Sequence, residues 1–89
     1  MTWKIEYSDT AKGQLRKLDK HIAHKICDYL DDVASLGDPR TKGKALKGPL
    51  GGLWRYRVKG WRVICDIQTR EVIVLVLTID HRRKVYGGH

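Results

Sequence analysis

Trp54-Arg55-Tyr56-Arg57-Val58-Lys59-Gly60-Trp61-Arg62-Val63-Ile64-Cys65-Asp66-Ile67 leaves little freedom in how the rest of the chain is arranged. Trp54, Tyr56 and Val58 alternate with Arg55, Arg57 and Lys59. After Gly60, Trp61, Val63, Cys65 and Ile67 alternate with Arg62, Ile64 and Asp66. A period of two marks a half-buried strand, and Gly60 permits the tight turn that joins two of them. Gln68-Thr69-Arg70 reads as a second turn. Glu71–Ile79 is apolar on both parities, as expected of a central strand covered on both sides. Short connections make the three strands an antiparallel meander.

Upstream, Trp3, Ile5 and Tyr7 alternate with Lys4 and Glu6, which predicts a further strand. Ser8 or Asp9 then offers an N-cap for a short helix whose face is Ala11, Leu15 and Leu18. Gly13 inside it costs about 0.8–1.0 kcal/mol relative to Ala, so this helix depends on tertiary packing. Asp19 caps a second helix with Ile22, Ile26, Tyr29, Leu30 and Val33 at the 3.6-residue period, stopped by Gly37 and Pro39. Asp28, Asp31 and Asp32 lie on its solvated side. The segment 38–52 reads as a loop with one short extended piece at Ala45–Lys47. Gly87-Gly88-His89 reads as a frayed end. The expectation is a single α+β domain over residues 1–89, in the order β-α-α-β-β-β. A twisted, mainly antiparallel sheet carries a helical hairpin on one face and leaves the other open.

The chain has 89 residues and a formal net charge of +8. Up to Asp38 there are six basic and seven acidic residues; beyond it there are twelve basic and three acidic. The excess is thus confined to the loop, the meander and the tail, and it suits a nucleic acid or another polyanion. The longest apolar run, Val72–Leu77, falls far short of the ~20 residues of a membrane span. The N-terminus lacks the apolar stretch of a secretory signal. Cys27 and Cys65 form no C-x-x-C and read as free thiols of a reducing cytoplasm. His21, His24 and Asp28 share a helix side but lack a fourth ligand, so no metal or other cofactor is expected.

Period two places Arg55 and Arg57 about 7 Å apart on the face opposite Trp54 and Tyr56. Such a row can serve simply as a solubilising face, but those usually mix signs, and no acid sits on this strand. Arg62 can point to the same face, and Lys44 and Lys47 can extend it from the loop. Three guanidinium groups without acids repel one another, and a bound polyanion would remove that cost. The central strand ends in Thr78-Ile79-Asp80-His81-Arg82-Arg83-Lys84-Val85-Tyr86. His81 can exchange a proton near neutral pH. Arg82 can stabilise a phosphorane-like transition state, and Tyr86 can stack on a base or move a proton. On its residues alone this end reads either as a site or as a basic tail with a core tyrosine.

The chain resembles the RelE/ParE superfamily of bacterial toxins nearly end to end. The resemblance rests on four pieces in order. They are Tyr7-Ser8-Asp9-Thr10-Ala11 with Leu15-Arg16-Lys17-Leu18, Lys44-Ala45-Leu46-Lys47-Gly48, Trp54–Val58 with Gly60-Trp61-Arg62-Val63, and Ile79–Tyr86. The last is similar to the RelE branch. That resemblance implies the toxin of a type II toxin–antitoxin system, an endoribonuclease that cleaves mRNA in the ribosomal A site without a metal. The RNA's own 2′-hydroxyl attacks the adjacent phosphate. It implies catalytic roles for Arg62, Arg82, Tyr86 and His81, and RNA contacts from Arg55, Arg57, Lys44, Lys47 and Arg83.

The implied partners are mRNA on the ribosome and an antitoxin with an acidic toxin-binding segment, with operator DNA bound only through the antitoxin and no membrane. The best-known members carry lysines where this chain has Arg55 and Arg57. A guanidinium stays protonated, so proton removal falls to Tyr86, to His81, or to no side chain. The C-terminal helix of some members has no counterpart after Tyr86. The competing readings are a ParE-like inhibitor of DNA gyrase and a nucleic-acid-binding module without catalysis.

Overall fold

The computed structural model describes residues 2–81. The tail residues Arg82, Arg83 and Tyr86, and the expected frayed end at 87–89, lie outside the described residues.

The chain runs β1 (Lys4–Tyr7), α1 (Asp9–Lys17), α2 (Lys20–Ala34), β2 (Lys44–Ala45), β3 (Trp54–Val58), β4 (Trp61–Gln68) and β5 (Ile73–His81). Single 3₁₀ turns stand at Pro39–Thr41 and Gly48–Leu50. The five strands form one sheet in the order β1-β5-β4-β3-β2. Only the β1–β5 pair is parallel, as a strand returning through two helices allows. The α+β layout read from the sequence is therefore the observed one. The extended piece of the 38–52 loop is β2, centred a little before Ala45–Lys47.

Ser8 links the first strand to the first helix. Its hydroxyl accepts from the Ala11 N–H at 3.0 Å, capping α1, and donates to the Leu77 carbonyl at 2.7 Å. Asp19 caps α2 by accepting from the His21 N–H at 2.8 Å. Ala11, Ile26, Leu30 and Val33 from the helices pack on Tyr56, Val63, Cys65, Val74, Val76 and Ile79 of the sheet. Full burial of an aliphatic side chain contributes about 1.5–3 kcal/mol. The three such side chains of α2, Ile26, Leu30 and Val33, outweigh the ~1 kcal/mol that Gly13 costs the helical hairpin.

β5 differs from the sequence reading in two ways. The connection is a four-residue turn, Thr69–Val72, so the strand begins at Ile73 rather than Glu71. Val72 closes this turn at φ 57, a conformation unfavourable to a β-branched residue. It is held there by the Lys4 N–H, which donates to the Val72 carbonyl at 2.9 Å. A bulge then falls at Leu77: Cys65 pairs with Val76, whereas Ile64 pairs with Thr78. The buried parity therefore switches from Val74 and Val76 to Ile79. The switch accounts for Ile79; ahead of it both parities are apolar, with Val74 and Val76 fully buried and Ile73 and Leu75 partly covered on the other face.

β1 ends opposite Val76, and α1 takes its place beside the rest of β5. The Gln14 carboxamide oxygen accepts from the Ile79 N–H at 2.6 Å, and its nitrogen donates to Thr78 Oγ1 at 3.0 Å. The helix side chain thus satisfies a strand N–H that has run out of ladder.

Candidate nucleic-acid interface

Directly opposed residues share a sheet face. Lys44 opposes Arg55, Arg57 opposes Arg62, and Arg62 opposes Asp80. Four cations from three strands, Lys44, Arg55, Arg57 and Arg62, therefore stand on the face away from the helices. Arg57 and Lys44 are exposed, and Arg55 and Arg62 are partly covered. Ile64 is buried on this face, apart from the main core. Further along β4 the charge reverses at Asp66, which accepts from Gln68 Nε2.

Three arginines without an acid were expected here, but the fold supplies one. Arg62 Nε donates to Asp80 Oδ1 at 3.2 Å, with only 15% and 28% of the two side chains exposed. Asp80 thereby offsets the repulsion between Arg62 and its cross-strand neighbour Arg57, whose Cα atoms such pairing brings to about 4.5–5.5 Å.

His81 is placed elsewhere. It opposes Trp61, which opposes Val58, in the row on the helix side. Its ring meets Trp61 edge-on at 5.0 Å. With Gln14, Lys17, Leu18, Asp19 and Ile79 it lines a hollow near the end of α1. The structure thus brings Arg62, Arg55, Arg57 and Lys44 together and sets His81 on the other face. Lys47 is exposed just before the Gly48–Leu50 turn, beyond the end of β2. Arg82, Arg83 and Tyr86 fall outside the described residues.

The cations are held by their neighbours on β3. Tyr56 is fully buried and donates its hydroxyl proton to the Pro39 carbonyl at 2.7 Å. Burial, reinforced by Cys65 and Tyr29, pushes its ionisation far above the ordinary phenol range. The Trp54 indole N–H donates to the Lys42 carbonyl at 2.7 Å. These bonds pin the loop to β3 and deliver Lys44 beside Arg55. Asp38 organises the same loop by accepting from the Arg40 N–H at 2.9 Å, and Arg40 also reaches Thr69.

Sequence reading missed Asp80 as the partner of Arg62, because the pairing depends on the bulge. It also missed Gly43. A Cβ there would stand 2.5 Å from the Arg55 carbonyl oxygen, and its φ is 79. A glycine between two lysines was the available signal. Chemically, the face can bind and polarise a phosphodiester, since guanidinium groups stay protonated and carry fixed forks of donors.

One family and three known proteins are similar to this chain in sequence or fold. Residues 5–86 match the family described as the ParE toxin of the type II toxin-antitoxin system, parDE. The chain is 27% identical over 86 residues to Toxin RelG of Mycobacterium tuberculosis, covering 97% of this chain and 98% of that protein. Its fold superposes with a TM-score of 0.83 on a chain of the toxin–antitoxin complex RelBE2 of M. tuberculosis, at 25% identity over 92% of this chain and 93% of that one. A free mutant of E. coli toxin RelE shares the fold with a TM-score of 0.78, at 18% identity over 98% and 90% of the two chains.

Proposed function

The chain belongs to the RelE/ParE superfamily of type II toxin–antitoxin toxins, and from that premise we propose that it is an endoribonuclease cutting mRNA in the ribosomal A site. The observation that carries this reading is the row of Lys44, Arg55, Arg57 and Arg62 on one sheet face. Their forked and flexible donors match the spacing of a single-stranded phosphate backbone. Arg62 and Arg82 bind and polarise the scissile phosphate while the neighbouring 2′-hydroxyl attacks it. Tyr86 stacks on a base or moves a proton, and Arg83 and Lys47 extend the grip on RNA. His81 stands on the helix side of the sheet, so its part is confined to the strand end, where Trp61 orients its ring. No metal enters the scheme. An antitoxin with an acidic segment covers the basic face, in keeping with the RelBE2 relative, which is a toxin–antitoxin complex.

The family match to ParE toxins favours a second reading, inhibition of DNA gyrase. Primer extension on mRNA with and without ribosomes, beside a gyrase supercoiling assay, separates the two. The nuclease reading expects ribosome-dependent cuts that Arg62→Ala slows by about 10²–10³-fold. Full supercoiling inhibition without any cut would overturn it.

A further inference from the structure

At the free edge of the sheet, β2 accompanies β3 for only two residues. Lys44 pairs with Arg55 and Ala45 with Trp54, and at Gly43 the chain turns away. The phase of the ladder follows from the two-residue turn Lys59-Gly60, both at positive φ. In such a hairpin Val58 and Trp61 exchange both backbone bonds, so Tyr56 and Trp54 also face β4. Arg55 and Arg57 then direct their backbone groups toward the β2 side. The bond from the Leu46 N–H to the Leu53 carbonyl, at 3.0 Å, continues the same phase. Arg55 meets Lys44 there. Arg57 lies one step past the end of β2, so its N–H points out of the sheet edge.

The result is a notch lined, among the described residues, by Tyr29, Gly43, Lys44, Arg55 and Arg57. We propose that this notch is a nucleotide subsite. One phosphate sits on the Lys44, Arg55 and Arg57 side chains and the Arg57 N–H, and the attached nucleoside rests on the ring of Tyr29. This rests on the nucleic-acid reading above and extends it to a residue of α2.

The chemistry of the lining favours this ligand. Three cationic residues line the edge here, and no carboxylate stands among the described lining residues. The adjoining hollow, also walled by Tyr29 and Arg57, sets Asp28 and Asp32 beside Lys25 and Lys59, so its charge is mixed. The Lys44 side of Tyr29, with cations and no described carboxylate, is the better place for a phosphate. The Tyr29 ring is held edge-on against Tyr56 at 5.9 Å, and Tyr56 is itself fixed on Pro39. An aromatic ring braced in this way loses little freedom when a base stacks on it. The ring already attracts a cation, with Lys42 Nζ 5.5 Å from its centroid. A base displaces that ammonium, which then adds its charge near the phosphate. The notch, about 220 Å³, is smaller than an enclosing ligand pocket. It suits one phosphate and the near side of a nucleoside within a longer strand.

The test titrates uridine 5′-monophosphate, adenosine 5′-monophosphate and inorganic phosphate into the full chain, followed by NMR. Both nucleotides should bind more tightly than phosphate, with nuclear Overhauser contacts from base or ribose protons to the Tyr29 ring. Tyr29→Leu should weaken nucleotide binding roughly 5–100-fold and leave phosphate binding in place. Tyr29→Phe should keep the nucleotide preference, because the ring and not the hydroxyl carries it. The wild-type contacts need no variant, so a folding defect in Tyr29→Leu does not blunt the test. Nucleotides that bind no tighter than phosphate, or that contact other residues, overturn the subsite. Ribosomal mRNA cleavage is measured in parallel. Cleavage without Tyr29 contacts overturns the subsite and leaves the nuclease reading standing. Tyr29 contacts without cleavage support the subsite and overturn the nuclease reading.

Discussion

Arg62 and Asp80 stand directly opposite each other on neighbouring strands, joined by a 3.2 Å bond in partly covered surroundings. Asp80 holds Arg62 in place but also subtracts charge from the face proposed to take RNA. Asp80→Asn should separate the two effects. Weakening a bond to a charged, half-buried group costs about 1–2 kcal/mol, and Tm should fall by roughly 4–8 °C per kcal/mol for a domain of this size. Affinity for single-stranded RNA should rise at the same time. Thermal melting and fluorescence anisotropy with a labelled oligonucleotide check both. A variant that is equally stable and binds RNA less well would show Asp80 to be an RNA contact instead.

A cationic face reports its phosphate contacts through salt. If about five phosphates are neutralised on single-stranded RNA, log K should fall against log salt with a slope near −3.5. Arg57→Ala, which removes the exposed arginine of β3, should reduce that slope by about 0.7. Binding isotherms between 50 and 300 mM salt, roughly the range in which such slopes are read, give the answer. A slope near zero for the wild type is incompatible with an electrostatic RNA site.

Most of the fold was legible because its signals are local. The alternation of Trp54, Tyr56 and Val58, the glycine at 60 and the caps Ser8 and Asp19 each act within a few residues, and each forms as read. What escaped is non-local. A turn confined to 68–70 would have set Val76 opposite Arg62. The actual turn is longer, and the bulge at Leu77 shifts the register once more, bringing Asp80 there instead. No propensity anticipates a valine at φ 57 in that turn, because tertiary bonds impose it. Arg55, Arg57 and Arg62 were legible as one face from parity alone. His81 falls on the face opposite Arg62 in either register, because the odd shift of the longer turn and the one-residue shift at Leu77 cancel in parity; what needed both is the direct pairing of Arg62 with Asp80.

Gly43 sits where the loop passes close over β3. Gly43→Ala would place a methyl 2.5 Å from the Arg55 carbonyl oxygen and 2.7 Å from the Trp54 indole nitrogen, at φ 79. The left-handed conformation alone costs an L-residue about 1–2 kcal/mol, and the collisions add to it. Stability should fall by roughly 2–4 kcal/mol. Chemical denaturation measures this. A loss under about 0.5 kcal/mol, the level of an ordinary surface substitution, would mean that the loop does not hold this approach in solution.

Lys59 offers the opposite case. It occupies the first position of the Lys59-Gly60 turn at φ 53, where Asn is among the favoured residues. Lys59→Asn should stabilise the chain by about 0.5–1 kcal/mol, raising Tm by several degrees. A thermal melt that moves downward would place the turn in another conformation.

Cys65 lies fully buried in the core shared by Tyr56 and the helices, and burial, aided by Asp66, pushes its thiol up to about 12. The unfolded chain releases this proton near pH 9, the ordinary thiol value, while the native chain keeps it. The unfolded state therefore binds fewer protons, and stability must fall as pH rises through that window. The contribution is present in full below about pH 9 and declines by about 1.4 kcal/mol per pH unit toward 12. Tyr7 and Tyr56, both raised by burial, act in the same direction at higher pH. Urea denaturation of wild type and Cys65→Ala between pH 8 and 10.5 isolates the thiol. The variant starts less stable, because a side chain is lost from the core, but its stability should decline more shallowly, so the two curves converge as pH rises. Parallel curves would show that Cys65 ionises as readily in the native chain as in the unfolded one, and the burial argument would fail.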